Sequence, residues 1–305
     1  MKIAILGASS NIAKDLILNF ANKNPDITIT LFGRNLRSLK TWLKEKKINT
    51  IERVFLYEEF SYSDAYDVLF NFVGIGDPAK VISVGSDIID LTYQYDKLAL
   101  NYLENNPETK YIFLSSGAAY GSKNFTKNVD SKTKSIIDIQ DHYSIAKIQA
   151  ESRHRSLPDK SIIDIRVFNY INSDIDLNSS FLIADAVNAL INKETLQTSS
   201  KNIFRDYIGP DDFYKLILCL INQSINESID CYTKSPLDKF SMLDMLRNEF
   251  GLSYNISCDE NDSFVPTFRD NYYSKNFKAK LYGYYPELTS LETIYKEVDL
   301  FLKKN

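Results

Sequence analysis

A tyrosine and a lysine stand four residues apart in the stretch Asp141-His-Tyr143-Ser-Ile-Ala-Lys147-Ile-Gln-Ala-Glu151. On a helix the two side chains lie one turn apart on the same face. A phenol ordinarily ionises near pH 10, too high for proton exchange at neutrality. A neighbouring ammonium favours the phenolate, and about 1.4 kcal/mol of differential interaction moves a pKa by one unit. Tuned in this way, Tyr143 can give a proton to a carbonyl oxygen or take one from a hydroxyl. The spacing alone also fits an amphipathic helix with a surface lysine and a half-buried tyrosine. With 20 tyrosines in the chain, the reading depends on what surrounds the pair.

The surroundings alternate between strand and helix. Residues 2–6, Lys-Ile-Ala-Ile-Leu, form a short apolar run of the kind buried on both faces of a sheet. The run breaks at Gly7-Ala-Ser9-Ser10-Asn11-Ile12-Ala13 and resumes with helical periodicity from Lys14 to Ala21. A strand, a tight polar turn and a helix start can hold a pyrophosphate on free N–H groups at the helix N-terminus. Of the three glycines usual in such a turn only Gly7 is present, with Ser10 and Ala13 at the other two spacings. The Ser10 Cβ stands where the backbone would approach a phosphate, so an ordinary strand-to-helix turn is the competing reading.

A second strand, Ile27 to Phe32, leads to Gly33-Arg34-Asn35. An acidic residue at this place grips a ribose 2′-hydroxyl, whereas a basic one accommodates a 2′-phosphate. Arg34 therefore favours NADP(H) over NAD(H); the alternative is an arginine that only caps the sheet edge. A third strand is expected at 53–57 and a fourth at Asp67–Val73, ending in Gly74-Ile-Gly76-Asp-Pro78, where small residues would let a cofactor pass close over the sheet. A helix over Ile89–Leu103 and a fifth strand, Lys110–Leu114, follow; the strand runs into Ser115-Ser116-Gly117-Ala118-Ala119-Tyr120-Gly121. Residues 122–140 read as a polar, Lys-rich surface loop, and Ser161–Asn169 as a sixth strand. This order predicts a parallel, doubly wound α/β sheet with ligands at the carboxyl ends of its strands. Ser116 would then sit at that edge, able to hold a substrate oxygen beside Tyr143.

Composition bounds the alternatives. The chain has 305 residues, 44% hydrophobic and 25% charged, enough for one large domain or two closely joined ones. A net charge of −4 and a pI near 5.4 carry no nucleic-acid footprint. Cys219, Cys231 and Cys258 are odd in number and widely spaced, which suggests neither a disulfide framework nor a metal knuckle and fits a reducing cytoplasm. Two histidines, His142 and His154, are too few for a His-based metal site. The N-terminus does not read as a signal peptide, and no apolar run approaches the roughly 18 residues of a membrane span.

Several segments together resemble the extended short-chain dehydrogenase/reductase family, the nucleotide-sugar epimerases, dehydratases and reductases. They are Gly7–Ala13, Ser115–Gly121, Tyr143–Lys147, Arg166-Val-Phe-Asn169 and Phe204-Arg205-Asp206-Tyr207-Ile208-Gly-Pro-Asp211-Asp212. The closing segment Lys278–Pro286, followed by Leu291–Ile294, is also similar, so the likeness spans essentially the whole chain. The resemblance implies Ser116, Tyr143 and Lys147 as the catalytic set beside a nicotinamide ring. It implies that Gly7, Ser9, Ser10, Asn11, Ile12, Arg34, Asn35 and Gly74, with Tyr143 and Lys147, hold the cofactor. Arg205 would bind the diphosphate of a nucleotide-sugar, Asn169 would meet the substrate, and Arg269 would be a second phosphate contact. A structural ion pair of Arg205 with Asp206, Asp211 or Asp212 is the alternative for that arginine. The family further implies a homodimer packed through two helices per subunit, one of them carrying Tyr143, and a place in glycan precursor synthesis.

The reaction is narrowed by chemistry. The family's 4,6-dehydratases carry an Asp-Glu pair directly after the catalytic hydroxyl residue, where this chain has Gly117 and Ala118, which cannot move protons. Hydride chemistry at one carbon remains: reduction of a 4-keto sugar nucleotide, favoured by Arg34, or 4-epimerisation with a retained NAD. A non-catalytic cofactor-binding protein is a third reading, opposed by the intact Ser116, Tyr143 and Lys147. The expected architecture is a Rossmann-type domain over residues 1–168 plus about 205–232, and a smaller α/β substrate domain from about 169–204 and 233–305.

Overall fold

The computed structural model describes residues 1–51, 53–121, 137–257 and 271–304. Within them the apolar runs become parallel strands: β1 (Lys2–Leu6), β2 (Thr28–Phe32), β3 (Arg53–Phe55), β4 (Val68–Asn71), β5 (Lys110–Ser116) and β6 (Ile162–Val167). Together with Asn226–Asp230 they form a sheet ordered Asn226–Asp230, β6, β5, β4, β1, β2, β3, every neighbouring pair parallel. Parallel neighbours require crossovers, supplied here by helices α1 (Asn11–Lys23), α2 (Leu36–Glu45), α3 (Pro78–Val84), α4 (Asp87–Asn105) and α5 (His142–Arg155). Val68–Asn71 is buried at every position, and Ile3–Leu6 likewise, as expected of strands covered on both faces. The strand order reverses between β1 and β4, which opens a crevice at their carboxyl ends.

The remaining chain builds a second core. Helices α6 (Leu182–Asn192), α8 (Lys239–Phe250) and α9 (Ser290–Lys304) contribute Val187, Leu243, Leu246, Ile294 and Val298 to one buried cluster. Short strands surround it: Leu237–Asp238, Phe204–Arg205 and Asn271–Tyr272 form one small sheet, and Thr195–Ser199 pairs with Ser253–Ser257. The chain crosses between the two cores more than once. Helix α7 (Pro210–Leu220) packs Phe213, Leu216 and Ile217 into the main core, and so do Ala279 and Tyr284 from the segment expected to belong wholly to the second unit.

Element boundaries differ from the sequence expectation mostly by a few residues. The fourth strand stops at Asn71, whose amide donates to the Tyr111 hydroxyl at 3.0 Å and accepts from the Val73 backbone, turning the chain early. Of the expected 122–140 loop, residues 122–136 lie outside the described residues, as do Arg269 and Cys258.

Candidate active site

The turn after β1 is shaped by close backbone approach. Gly7 has φ of +76°, and a Cβ there would come within 2.6 Å of the Phe72 carbonyl carbon and 2.7 Å of the Val73 nitrogen. Only glycine fits, because the loops after β1 and β4 touch at the point where the strand order reverses. Ser10 has extended backbone angles, and its Oγ accepts from the Ala13 N–H at 3.3 Å. It is the N-cap of α1, and its conformation does not call for glycine. A capping hydroxyl stands here in place of a glycine. Ser9 and Asn11 are exposed, and Ile12 is half-buried against the core.

At the end of β2, Arg34 is exposed, and the Asn35 side chain accepts from the Ser38 N–H at 3.0 Å to cap α2. The Tyr57 ring packs at a tilt of 57° against Tyr95 with centroids 4.6 Å apart, and its hydroxyl takes a hydrogen bond from the Gly7 backbone. Burial, reinforced by Tyr95 and opposed by Arg34, pushes the Tyr57 pKa up to about 12, so it stays a neutral phenol. Nothing in the spacing of Tyr57 flags this position; it is reached only through the fold.

Helix α5 begins at an Asp141 cap, whose carboxylate accepts from the Ser144 N–H at 3.0 Å and from the Ser144 hydroxyl at 2.6 Å. This start sets Tyr143 and Lys147 on one face, the Lys147 Nζ lying 5.7 Å from the centre of the Tyr143 ring. Lys147 is buried, lies 4.7 Å from the Phe113 ring centre and donates to the Leu114 carbonyl at 2.8 Å. A Cβ on Gly74 would be 3.8 Å from the same Nζ, so the loop after β4 closes over it. Desolvation lowers the Lys147 pKa to about 8, and the Glu151, Asp96 and Asp164 carboxylates oppose that fall.

Those carboxylates belong to a buried network. Glu151, one turn beyond Lys147, accepts from the Ser115 hydroxyl at 2.6 Å and pairs with Arg166 at 2.5 Å. Burial works against its ionisation, but Arg166 holds the carboxyl below its ordinary range. His154 lies between Asp164 at 2.6 Å and Asp96 at 2.7 Å, with Arg153 on Asp96 and Arg155 on Asp164. The spacing of Glu151 four residues after Lys147 was the one sequence signal for this network.

Ser116 ends β5 at the same edge. Its Oγ accepts from the Ala118 N–H at 3.2 Å and shares a 2.8 Å hydrogen bond with the Tyr272 hydroxyl. Gly117 is packed so tightly that a Cβ would stand 2.4 Å from the Phe168 ring, and Ala118 is fully buried. A carboxylate pair has no room in this place.

Asn169 and Arg205 are carried by strands of two different small sheets. Asn169–Tyr170 pairs with Tyr207–Ile208, and the Asn169 amide donates to the Asp206 carbonyl at 3.0 Å. Asp206 itself accepts from Thr233 and Ser290, Asp211 pairs with Lys23 and Lys296, and Asp212 accepts from the Glu287 and Leu288 backbone. Arg205 pairs in register with Tyr272, its guanidinium 6.0 Å from that ring's centre. Thus Arg205 lies near the ring of the same tyrosine whose hydroxyl meets Ser116. Among the described residues no His, Cys, Asp and Glu group could hold a metal ion, and no helix is long and apolar enough to cross a membrane.

The family model described as "NAD dependent epimerase/dehydratase family" matches residues 3–230. No curated protein matches the sequence. The fold is similar to a UDP-N-acetylglucosamine 4-epimerase from Methanobrevibacter ruminantium M1 in complex with UDP-N-acetylmuramic acid, with TM-score 0.79 and 16% identity over 100% of this chain and 99% of that one. It is similar to a UDP-glucose-4-epimerase from Stenotrophomonas maltophila with bound NAD and formylated UDP-arabinopyranose, with TM-score 0.80 and 13% identity over 100% and 98%. A dTDP-glucose 4,6-dehydratase from Bacillus anthracis in complex with NAD matches with TM-score 0.73 and 15% identity over 100% and 97%. The match over residues 3–230, and a sheet that runs strand for strand in one direction, make this chain a member of the NAD dependent epimerase/dehydratase family of enzymes.

Proposed function

We propose that the protein is an NADP(H)-dependent reductase of a 4-keto sugar nucleotide. The observation that carries this reading is the buried Lys147, fixed to Leu114 within 5.7 Å of the Tyr143 ring centre, two residues along β5 from Ser116. The residues of the crevice suit a dinucleotide. Gly7 brings the first turn against the β4 loop, the amides of Asn11 and Ile12 open α1 beyond the end of β1, and Gly74 adds no bulk beside Lys147. Arg34 puts a cation and no carboxylate after β2, which favours the 2′-phosphate of NADP(H) over NAD(H).

The nicotinamide would supply the hydride. Tyr143 gives its proton to the oxygen of the ketone as negative charge develops there, and Ser116 holds the same oxygen by a hydrogen bond. Lys147 favours the phenolate that Tyr143 leaves behind. Arg205 binds the diphosphate, with Asn169 close by holding the Asp206 turn; Arg269 remains part of this proposal from sequence alone. Dehydration is disfavoured because Gly117 and Ala118 offer no carboxylate to move protons, and the Phe168 ring fills the space beside Gly117.

A 4-epimerase is the second reading, favoured by the number of 4-epimerases among similar folds. It would use Tyr143 in both directions on one sugar. NADPH supplied with a panel of 4-keto sugar nucleotides separates the two: net loss of nicotinamide absorbance marks a reductase. Conversion of a 4-hydroxy sugar nucleotide to its epimer without net oxidation marks an epimerase, and silence with both substrate types overturns both. The proposal includes a cytoplasmic homodimer through α4 and α5. These two helices share a surface depression of about 230 Å³ lined by Tyr93, Lys97, Arg153 and Leu157; light scattering in solution tests it.

A further inference from the structure

We propose that Tyr272 is a positioning residue that fixes the direction of the Ser116 hydroxyl; the inference rests on the role given above to Ser116. A serine hydroxyl has one proton to donate and two lone pairs to accept with. At Ser116 the Ala118 N–H occupies one lone pair at 3.2 Å, and the Tyr272 hydroxyl lies 2.8 Å away. In this proposal Tyr272 has the donor's part in that bond: both Ser116 lone pairs are then filled, and the Ser116 proton is left for the substrate oxygen. A ketone oxygen gaining negative charge needs a donor at this place.

Tyr272 is itself held firmly. Its ring packs on Phe168 with centroids 5.1 Å apart, Phe168 in turn fills the space over Gly117, and the residue is only 8% exposed. Strand pairing with Phe204–Arg205 fixes its backbone, and the Arg205 guanidinium lies 6.0 Å from the ring centre. The hydroxyl that orients Ser116 thus comes from an element of the second core, 156 residues away in sequence. The group proposed to bind the diphosphate and the group proposed to hold the ketone oxygen share one rigid support.

The test is a double-mutant cycle on the full chain with NADPH and whichever 4-keto sugar nucleotide is turned over. Tyr272→Phe keeps the ring and removes the hydroxyl; it should lower kcat about tenfold, the scale of one hydrogen bond, with KM within about twofold. In the Ser116→Ala background the same change should have no further effect on kcat. An equal loss from Tyr272→Phe in both backgrounds, or a single variant at wild-type kcat, overturns the inference. If Ser116→Ala alone keeps full rate, the role of Ser116 falls and the inference with it. Thermal melting of each variant separates orientation from a loss of folding: a kcat loss in Tyr272→Phe with an unchanged melting temperature supports the inference, and a loss that only accompanies unfolding overturns it.

Discussion

The Lys147 ammonium donates to the Leu114 carbonyl at 2.8 Å, tying α5 to β5 two residues before Ser116. The bond places a cation in a buried position beside Tyr143, where desolvation competes with the carboxylates of Glu151, Asp96 and Asp164. With its pKa lowered to about 8, the ammonium is the protonated form only on the acid side of that value. We expect kcat to fall as pH rises through about 8, and Glu151→Gln to move that limb to lower pH by removing a charge that helps retain the proton. A kcat–pH profile with an unmoved limb in Glu151→Gln would count against Lys147 as the titrating group. The stability sign is separate: from about 8 to 10.5 the unfolded chain binds the extra proton, so unfolding free energy should rise across that window.

Removal of the Tyr143 hydroxyl should abolish the proton transfer and leave the crevice intact. Tyr143→Phe is expected to lower kcat by about 10²–10⁴-fold, while cofactor binding followed by nicotinamide fluorescence changes little. A variant that keeps near-full turnover would take Tyr143 out of the chemistry.

Two residues of the first turn should respond in opposite ways. Ser10→Gly exchanges one capping residue for another and should cost only about a few tenths of a kcal/mol. Gly7→Ala forces a Cβ to 2.6 Å from the Phe72 carbonyl carbon at a φ of +76°, and should cost more than about 1 kcal/mol and weaken dinucleotide binding. Chemical denaturation and cofactor titration of the two variants check the contrast.

Arg34 decides the cofactor if the 2′-phosphate lies after β2. Arg34→Ala should raise KM for NADPH by about tenfold, the loss of one charge-assisted hydrogen bond, and leave KM for NADH nearly unchanged. Equal effects on both cofactors would refute the 2′-phosphate assignment.

His154 is expected to matter for folding more than for turnover. Burial disfavours its imidazolium, but Asp164 and Asp96 overrule that and raise its pKa to about 9. Its stabilising contribution is therefore fully present below the ordinary 6.5 and is lost as pH rises through about 9. His154→Ala leaves two buried carboxylates short of a partner and should cost about 3–5 kcal/mol near neutrality. Urea melts at neutral pH and above pH 9 should show the wild-type and variant stabilities converging.

Much of this molecule is legible along the chain. Strands such as Ile3–Leu6 and Val68–Asn71 are buried on both faces, so they appear as unbroken apolar runs whatever their neighbours are. Tyr143 and Lys147 are readable because helical geometry converts a spacing of four into adjacency. The absence of a carboxylate at Gly117-Ala118 is likewise written in the sequence, and its chemical meaning needs no coordinates. Contacts between distant segments carry no such signature. Along the chain Ser10 is a departure from a glycine pattern, and only the fold shows its hydroxyl capping α1; the fold likewise shows the Asn169 amide donating to the Asp206 carbonyl. The meeting of Tyr272 with Ser116, the seat of Gly117 against Phe168, and the burial that brings the Lys147 pKa to about 8 were decided only when the crossovers brought β5, β6, α5 and the second core together. Local residue types set which side chains can do chemistry; desolvation and hydrogen-bond partners come from segments far away in the chain, and only the packed structure supplies them.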